Sequence, residues 1–150
     1  MELQTQFDKD KYITDHESNV MKLPQVEIQT EHMLYGGIYT RRIIIPKGCI
    51  MTGAVYKKDF ISIQIYGDMN LLNDDGSETR VTGYNAFQSK PGARRMGISH
   101  EESMWIGIFS TEALDIDSVL MEYMDETKTD MSKFIGIENI KLEGLSWSEQ

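Results

Sequence analysis

The sequence predicts a mainly β fold, an antiparallel sandwich or barrel, and three observations lead there. Short segments of alternating or β-branched character recur between Gln25 and Phe109. Turn signals separate them at short intervals: Gly36-Gly37, Pro46-Lys47-Gly48, Gly67-Asp68 and Asn73-Asp74-Asp75-Gly76. Few helical periods interrupt the series.

Taken in order, residues 1–22 are polar and charged, with Asp15 as a candidate helix cap before His16–Met21. They read as an N-terminal arm carrying one short helix. Gln25–Thr30 alternates, with Val26 and Ile28 on one face, the period of a half-buried strand. Ile38–Ile45 is rich in β-branched residues, and Pro46 to Gly48 closes it. Cys49–Val55 follows, and then Phe60–Tyr66, where Ile61, Ile63 and Ile65 oppose Phe60, Ser62, Gln64 and Tyr66. Met69–Leu72 and Thr79–Val81 flank the Asn73–Gly76 signal as a hairpin. Tyr84–Gln88, Arg95–Ile98 and Met104–Phe109 complete the set. Ser118–Met124 has helical spacing, with Asp117 as its candidate cap. Beyond the charged stretch Asp125–Asp130, the residues Phe134, Ile135, Ile137, Ile140, Leu142, Leu145 and Trp147 are too apolar for a free tail. The expected division is therefore an arm over 1–22, a barrel over 23–110, and over 111–150 a helix with an apolar extension packed on the barrel or a second subunit.

At 150 residues, 40% hydrophobic and 26% charged, the chain suits one domain with one modest core. The 24 acids outnumber the 15 Lys and Arg, for a formal charge of −9. Such a surface repels phosphate backbones and anionic lipids, which argues against nucleic-acid and membrane partners. The N-terminus lacks the basic head and apolar stretch of a signal peptide. Cys49, the single cysteine, excludes an intramolecular disulfide and a cysteine-clustered zinc site, and its strand context predicts a buried, inert thiol.

Within Leu34–Phe109, Ile45-Pro46-Lys47-Gly48 with Thr52-Gly53 is followed by Ser89-Lys90-Pro91-Gly92-Ala93-Arg94-Arg95 and then by His100-Glu101-Glu102-Ser103-Met104-Trp105. In order and spacing these pieces resemble the two half-motifs of the cupin superfamily, and more narrowly a group of small cupin-like proteins of tailed bacteriophages. The resemblance covers about half the chain. It implies a cupin-like double-sheet β-barrel of jelly-roll type, open at one end. In metal-dependent cupins two histidines and a glutamate from the first half-motif join a histidine from the second. Related phage sequences often carry histidines where this chain has Tyr56 and Phe60; neither is a credible ligand for a divalent transition metal, and phenylalanine cannot be one at all. His100 remains as the candidate imidazole, near Glu101 and Glu102, and His16 and His32 lie outside the barrel block. The resemblance thus implies a degenerate metal position, and no cofactor is expected.

Strand alternation places Tyr56, Phe60, Ser62, Gln64 and Tyr66 on one wall, either as filled core or as the aromatic side of a pocket. Arg94 and Arg95 follow the Pro91-Gly92 turn, so that one of them reaches the barrel mouth, to grip an anion or to pair with an acid. Arg41 and Arg42 pose the same question. His100 beside Glu102 has the makings of a proton-transfer pair, but no nucleophile accompanies it. Trp105 is either core or stacking platform.

The expected function is a phage-encoded, non-catalytic cupin-like protein binding a small polar or anionic molecule, through Tyr56, Phe60, Gln64, Arg94 or Arg95, His100 and Trp105. It would act in the cytoplasm of the infected bacterium, for instance by sequestering a host signalling or defence molecule. A structural or accessory particle protein, or an adaptor for a host or phage protein, is the alternative, and a metal-dependent isomerase or dioxygenase the weaker one. A homo-oligomer, first of all a dimer, is expected from the sheet edges and terminal segments.

Overall fold

The computed structural model describes residues 6–125. The apolar C-terminal run from Phe134 to Trp147 lies outside them. Helix α1 (Lys9–Val20) leads into seven strands, β1 (Gln29–Tyr35), β2 (Ile38–Ile45), β3 (Ile50–Thr52), β4 (Phe60–Leu72), β5 (Glu78–Thr82), β6 (Asn85–Ser89) and β7 (Met96–Ser110), and then to α2 (Ile116–Tyr123). The sheet runs β1-β2-β7-β4-β5, with β3 paired to β7 and β6 to β4, every pairing antiparallel.

The strands come out fewer than the sequence suggests, two of them by fusion of neighbours, while the expected Cys49–Val55 shrinks to β3. Phe60–Tyr66 and Met69–Leu72 are one strand, β4, and Arg95–Ile98 and Met104–Phe109 belong to another, β7. Both bend where the β4–β7 register slips, between Gln64 and Met69. One half of β4 pairs with β6 and the other with β5. A bend that lets two strands serve both walls is what curls a sheet into a barrel. Gly67 marks it, with φ +133, and a Cβ there would lie 2.1 Å from Ser103 Oγ. Ser103 Oγ accepts from Asp68 N–H at 3.1 Å and donates to Glu101 O at 3.0 Å, so it restores pairing where the ladder is broken.

The first strand begins later than its alternation suggests. Val26 is exposed, and β1 starts at Gln29. Helix α1 is also longer than expected. Asp8 caps it by accepting from Lys11 N–H at 3.1 Å, and Asp15 sits inside it, bonded to Lys11 one turn back. The helix buries one apolar side chain, Ile13, and is tied to the barrel by Arg94 and by Lys9, whose Nζ meets Asp74 Oδ1 at 3.1 Å. Arg94 ion-pairs with Glu17 at 3.0 Å and donates to Thr14 Oγ1 at 3.0 Å and Gly53 O at 3.1 Å. The arm is thus a docked helix.

Helix α2 is capped by Asp115, two residues before the expected Asp117, through Ser118 N–H at 2.8 Å. It closes one end of the barrel. Val119, Leu120 and Tyr123 pack on Tyr39, Ala54 and Phe109, a contact worth roughly 1.5–3 kcal/mol for each fully buried side chain. A second apolar cluster, of Ile45, Cys49, Met69, Leu71, Val81 and Trp105, fills the other end. Cys49 is buried, as its strand context predicts.

Candidate functional site

Between these two clusters lies a cavity of about 160 Å³. Its existence follows from the register. Across the inner face, Arg41 on β2 stands opposite Gly107 on β7, Gly107 opposite Ser62 on β4, and Ser62 opposite Phe87 on β6. The layer above carries Tyr39, Phe109 and Phe60, and the one below Ile43, Trp105 and Gln64. A glycine and a serine between bulky layers leave the middle of the barrel unfilled. A Cβ on Gly107 would meet the Phe109 ring at 2.8 Å, so this position also gives that ring its room.

Five of the seven residues expected to bind a ligand border the cavity: Tyr56, Phe60, Arg94, Arg95 and Trp105. Arg41 and Ser62 join them. Gln64 is fully buried but turned away, its Nε2 donating to Val81 O at 3.1 Å and Gly83 O at 2.9 Å, where it fastens the turn between β5 and β6. His100 faces outward. Arg95 and Gly97 point to the cavity, so the parity of β7 sends Ile98 and His100 to the surface, where His100 Nε2 meets Asn70 Oδ1 at 3.0 Å. Its expected neighbour Glu102 instead accepts from Tyr66 O–H at 2.9 Å. Tyr66 leaves the inner wall because the register slips just before it. No proton-transfer pair therefore forms at His100.

The two neighbouring arginines divide the roles. Both border the cavity, but the guanidinium of Arg94 is committed to α1. That of Arg95 lies over the rings of Phe87, at 5.0 Å, and Trp105, at 5.7 Å, and donates to Ser89 Oγ at 3.1 Å. Among the described residues no carboxylate pairs with it. Burial pushes its pKa below the ordinary guanidinium value, while Tyr56 acts the other way. Burial raises the Tyr56 phenol, and the charges of both Arg41 and Arg95 draw it back down. The phenol thus sits within the field of two guanidinium groups. Arg42, one residue from Arg41, takes the opposite face and pairs with Glu31. Among the described residues, no Asp or Glu borders the cavity.

Sequence reasoning missed Phe87, which stands in a five-residue strand without a strict period, and the pair His32–Tyr39. His32 lies opposite Arg41 across β1 and β2, and its Nδ1 meets Tyr39 Oη at 2.6 Å with the rings stacked. Burial, helped by the charge of Arg41, lowers its pKa to about 4. The folded protein therefore keeps His32 neutral where the unfolded chain, with a pKa of about 6.5, binds a proton. This contribution to stability is complete above about pH 7.5 and falls as the pH drops toward 4; the ring is partly exposed, so screening by solvent keeps the loss to about 1–2 kcal/mol. Urea denaturation of the native sequence and of His32→Gln at pH 7 and pH 4.5 checks this: the variant loses less stability on acidification.

No protein-family profile and no curated protein sequence matches the chain. Solved structures do. An uncharacterised conserved protein with a double-stranded β-helix domain from Klebsiella pneumoniae superposes with a TM-score of 0.50 at 14% identity, covering 64% of this chain and 90% of its own. The fold is cupin-like. KdgF from Halomonas sp. is similar at a TM-score of 0.47 and 19% identity, over 61% of this chain and 87% of that one. A cupin domain from Bordetella pertussis gives 0.46 and 13%, over 61% and 99%.

Cupin-like barrels are a common setting for a divalent metal, so the donor set matters. Among the described residues, the cavity of this cupin-like barrel is bordered by hydroxyls from Thr52, Ser62 and Tyr56 and by three arginines, and by no imidazole, thiol or carboxylate. Among the described residues no three His, Cys, Asp or Glu side chains come together elsewhere. Hydroxyls beside the Arg95 guanidinium attract an anion and repel a cation, and without imidazole, thiol or carboxylate donors these residues do not fit a resident metal.

Proposed function

We propose that this protein binds a small organic anion inside its cupin-like barrel and does so without catalysis. One observation carries the reading: a guanidinium, Arg95, faces the cavity with no carboxylate among the described residues to neutralise it. A buried cation without an acid is costly, and aromatic stacking offsets only part of that cost. An anion entering the cavity supplies the missing charge, with Arg95 and the Tyr56 hydroxyl as donors and Arg41 adding to the field. The negative surface elsewhere makes the cavity a positive island, which selects for ligands small enough to leave bulk solvent.

The finer reading rests on the sequence pieces that resemble phage proteins. With them, the barrel belongs to a phage-encoded protein that withdraws a host signalling or defence molecule in the infected cell. A second reading, a structural or adaptor subunit that pairs with another copy, draws on the exposed apolar residues Met33, Tyr35 and Ile38 at the β1–β2 end.

Native mass spectrometry of the protein purified from bacteria, before and after denaturation, tests the binding reading. A retained organic anion released on unfolding is the expected result. A stoichiometric transition metal in its place would overturn it.

A further inference from the structure

The dimensions of the cavity narrow the class of anion, an inference that rests on the binding reading above. A cavity of about 150 Å³ lined by apolar side chains holds one benzene molecule. The cavity here, of about 160 Å³, is of that size. Arg41, Arg94, Thr52 and Ser62 add polar groups to its lining, and the part of the wall made by Ile45, Met69, Leu71 and Trp105 is apolar. The Trp105 indole N–H is already donated to Met69 Sδ at 3.1 Å, so this part of the wall has no free donor for a sugar or base. At the other end Phe60 stacks on Phe109 with centroids 4.7 Å apart, Tyr56 tilts against Phe60 at 4.5 Å, and α2 closes the barrel behind them.

From the size of the cavity, its apolar floor and the one-sided placement of Arg95, we infer that the ligand is a small monocarboxylate with a flat, apolar body, of the size of benzoate. Its carboxylate meets Arg95 and Tyr56, and its ring lies against Ile45, Met69, Leu71 and Trp105. Inorganic phosphate has the charge but leaves the apolar wall bare. A nucleotide has the charge and a ring, but its sugar and base exceed the space. The chemistry read here is therefore that of an aryl or short branched carboxylic acid in preference to a nucleotide, most of which would have to lie outside the cavity.

Isothermal titration of the full chain at pH 7 with benzoate, benzyl alcohol, inorganic phosphate and adenosine monophosphate tests this. Benzoate is expected to bind one to one, at least tenfold more tightly than the other three. If phosphate or the nucleotide matches benzoate, the size argument falls and the anion reading stands. If benzyl alcohol matches benzoate, or none of the four binds, the anion reading falls as well. Ser62→Leu, which fills the middle of the cavity, is expected to lower benzoate affinity at least tenfold with the thermal transition retained. Unchanged affinity in the folded variant would overturn the assignment of the site.

Discussion

Arg95→Met is expected to weaken binding of a small carboxylate by about 30-fold or more while leaving the folded state as stable as before. The two halves of this result have one cause. Arg95 lies over Phe87 and Trp105 and donates to Ser89, with no acid among the described residues to balance it. Hydrogen bonds to charged groups contribute about 1.5–3 kcal/mol, and losing 2 kcal/mol is about a 30-fold loss in affinity. Removing the charge also removes its desolvation penalty, the same burial that pushes the guanidinium pKa down. Methionine keeps the length and the contact with the rings. The gain and the lost stacking and hydrogen bond are both of the order of 1–2 kcal/mol, so they nearly cancel. Titration with benzoate beside a thermal melt measures both. A melting temperature lowered by ten degrees or more would mean that Arg95 is a structural cation. Arg95→Lys separates charge from geometry: an ammonium keeps the charge but loses the planar, paired donors, so affinity falls part of the way.

Gly67→Ala is expected to be the most damaging single-atom change in the barrel, at roughly 3–5 kcal/mol, with much of the protein unfolded at physiological temperature. Two independent penalties act. The backbone sits at φ +133, which only glycine adopts without strain. A methyl group there would also lie 2.1 Å from Ser103 Oγ, 2.4 Å from its Cβ and 2.6 Å from its Cα. The last of these is main chain, so a rotamer change of Ser103 gives no relief. Ser103 is fully buried and holds the bend through Asp68 N–H. If it moved, the register slip that lets β4 serve both walls would have to move with it. Gly76→Ala is the comparison: its nearest contact is the Phe7 ring at 3.1 Å, and it lies in the hairpin loop between β4 and β5. It should cost much less. Chemical denaturation of the two variants reads the difference, and equal losses would show that strain at φ > 0, not the approach of Ser103, sets the cost.

Much of the barrel is legible in the order of residues because its information is local. The turns at Gly36-Gly37 and Asn73–Gly76 and the alternation over Phe60–Gln64 each act within a few residues. The arm is not legible in the same way. Helix α1 buries Ile13 and no other apolar residue, so it carries almost no amphipathic period. It is held from 80 residues away, by Arg94 on Thr14. Strand ends shifted for a related reason: Val26 and Ile28 alternate as a strand should, but β2 offers partners only from Gln29 onward.

The site divides along the same line. The residue types for an anion pocket, an aromatic wall at Tyr56 and Phe60 and a pair of arginines after a turn, are determined by the sequence alone. So is the acidic balance that makes an inward arginine conspicuous. Only the tertiary structure decided which arginine faces the cavity, because α1 claims Arg94 and leaves Arg95. Only it removed Tyr66 and His100 from the inner wall, since a register slip in β4 and the parity of β7 turn them outward. Only it placed Gly107 and Ser62 side by side and so opened the space between them. Alternation along one strand is a local property and survives in the sequence. Which strands lie opposite, and where a bend reverses the faces, depends on contacts between residues far apart in the chain.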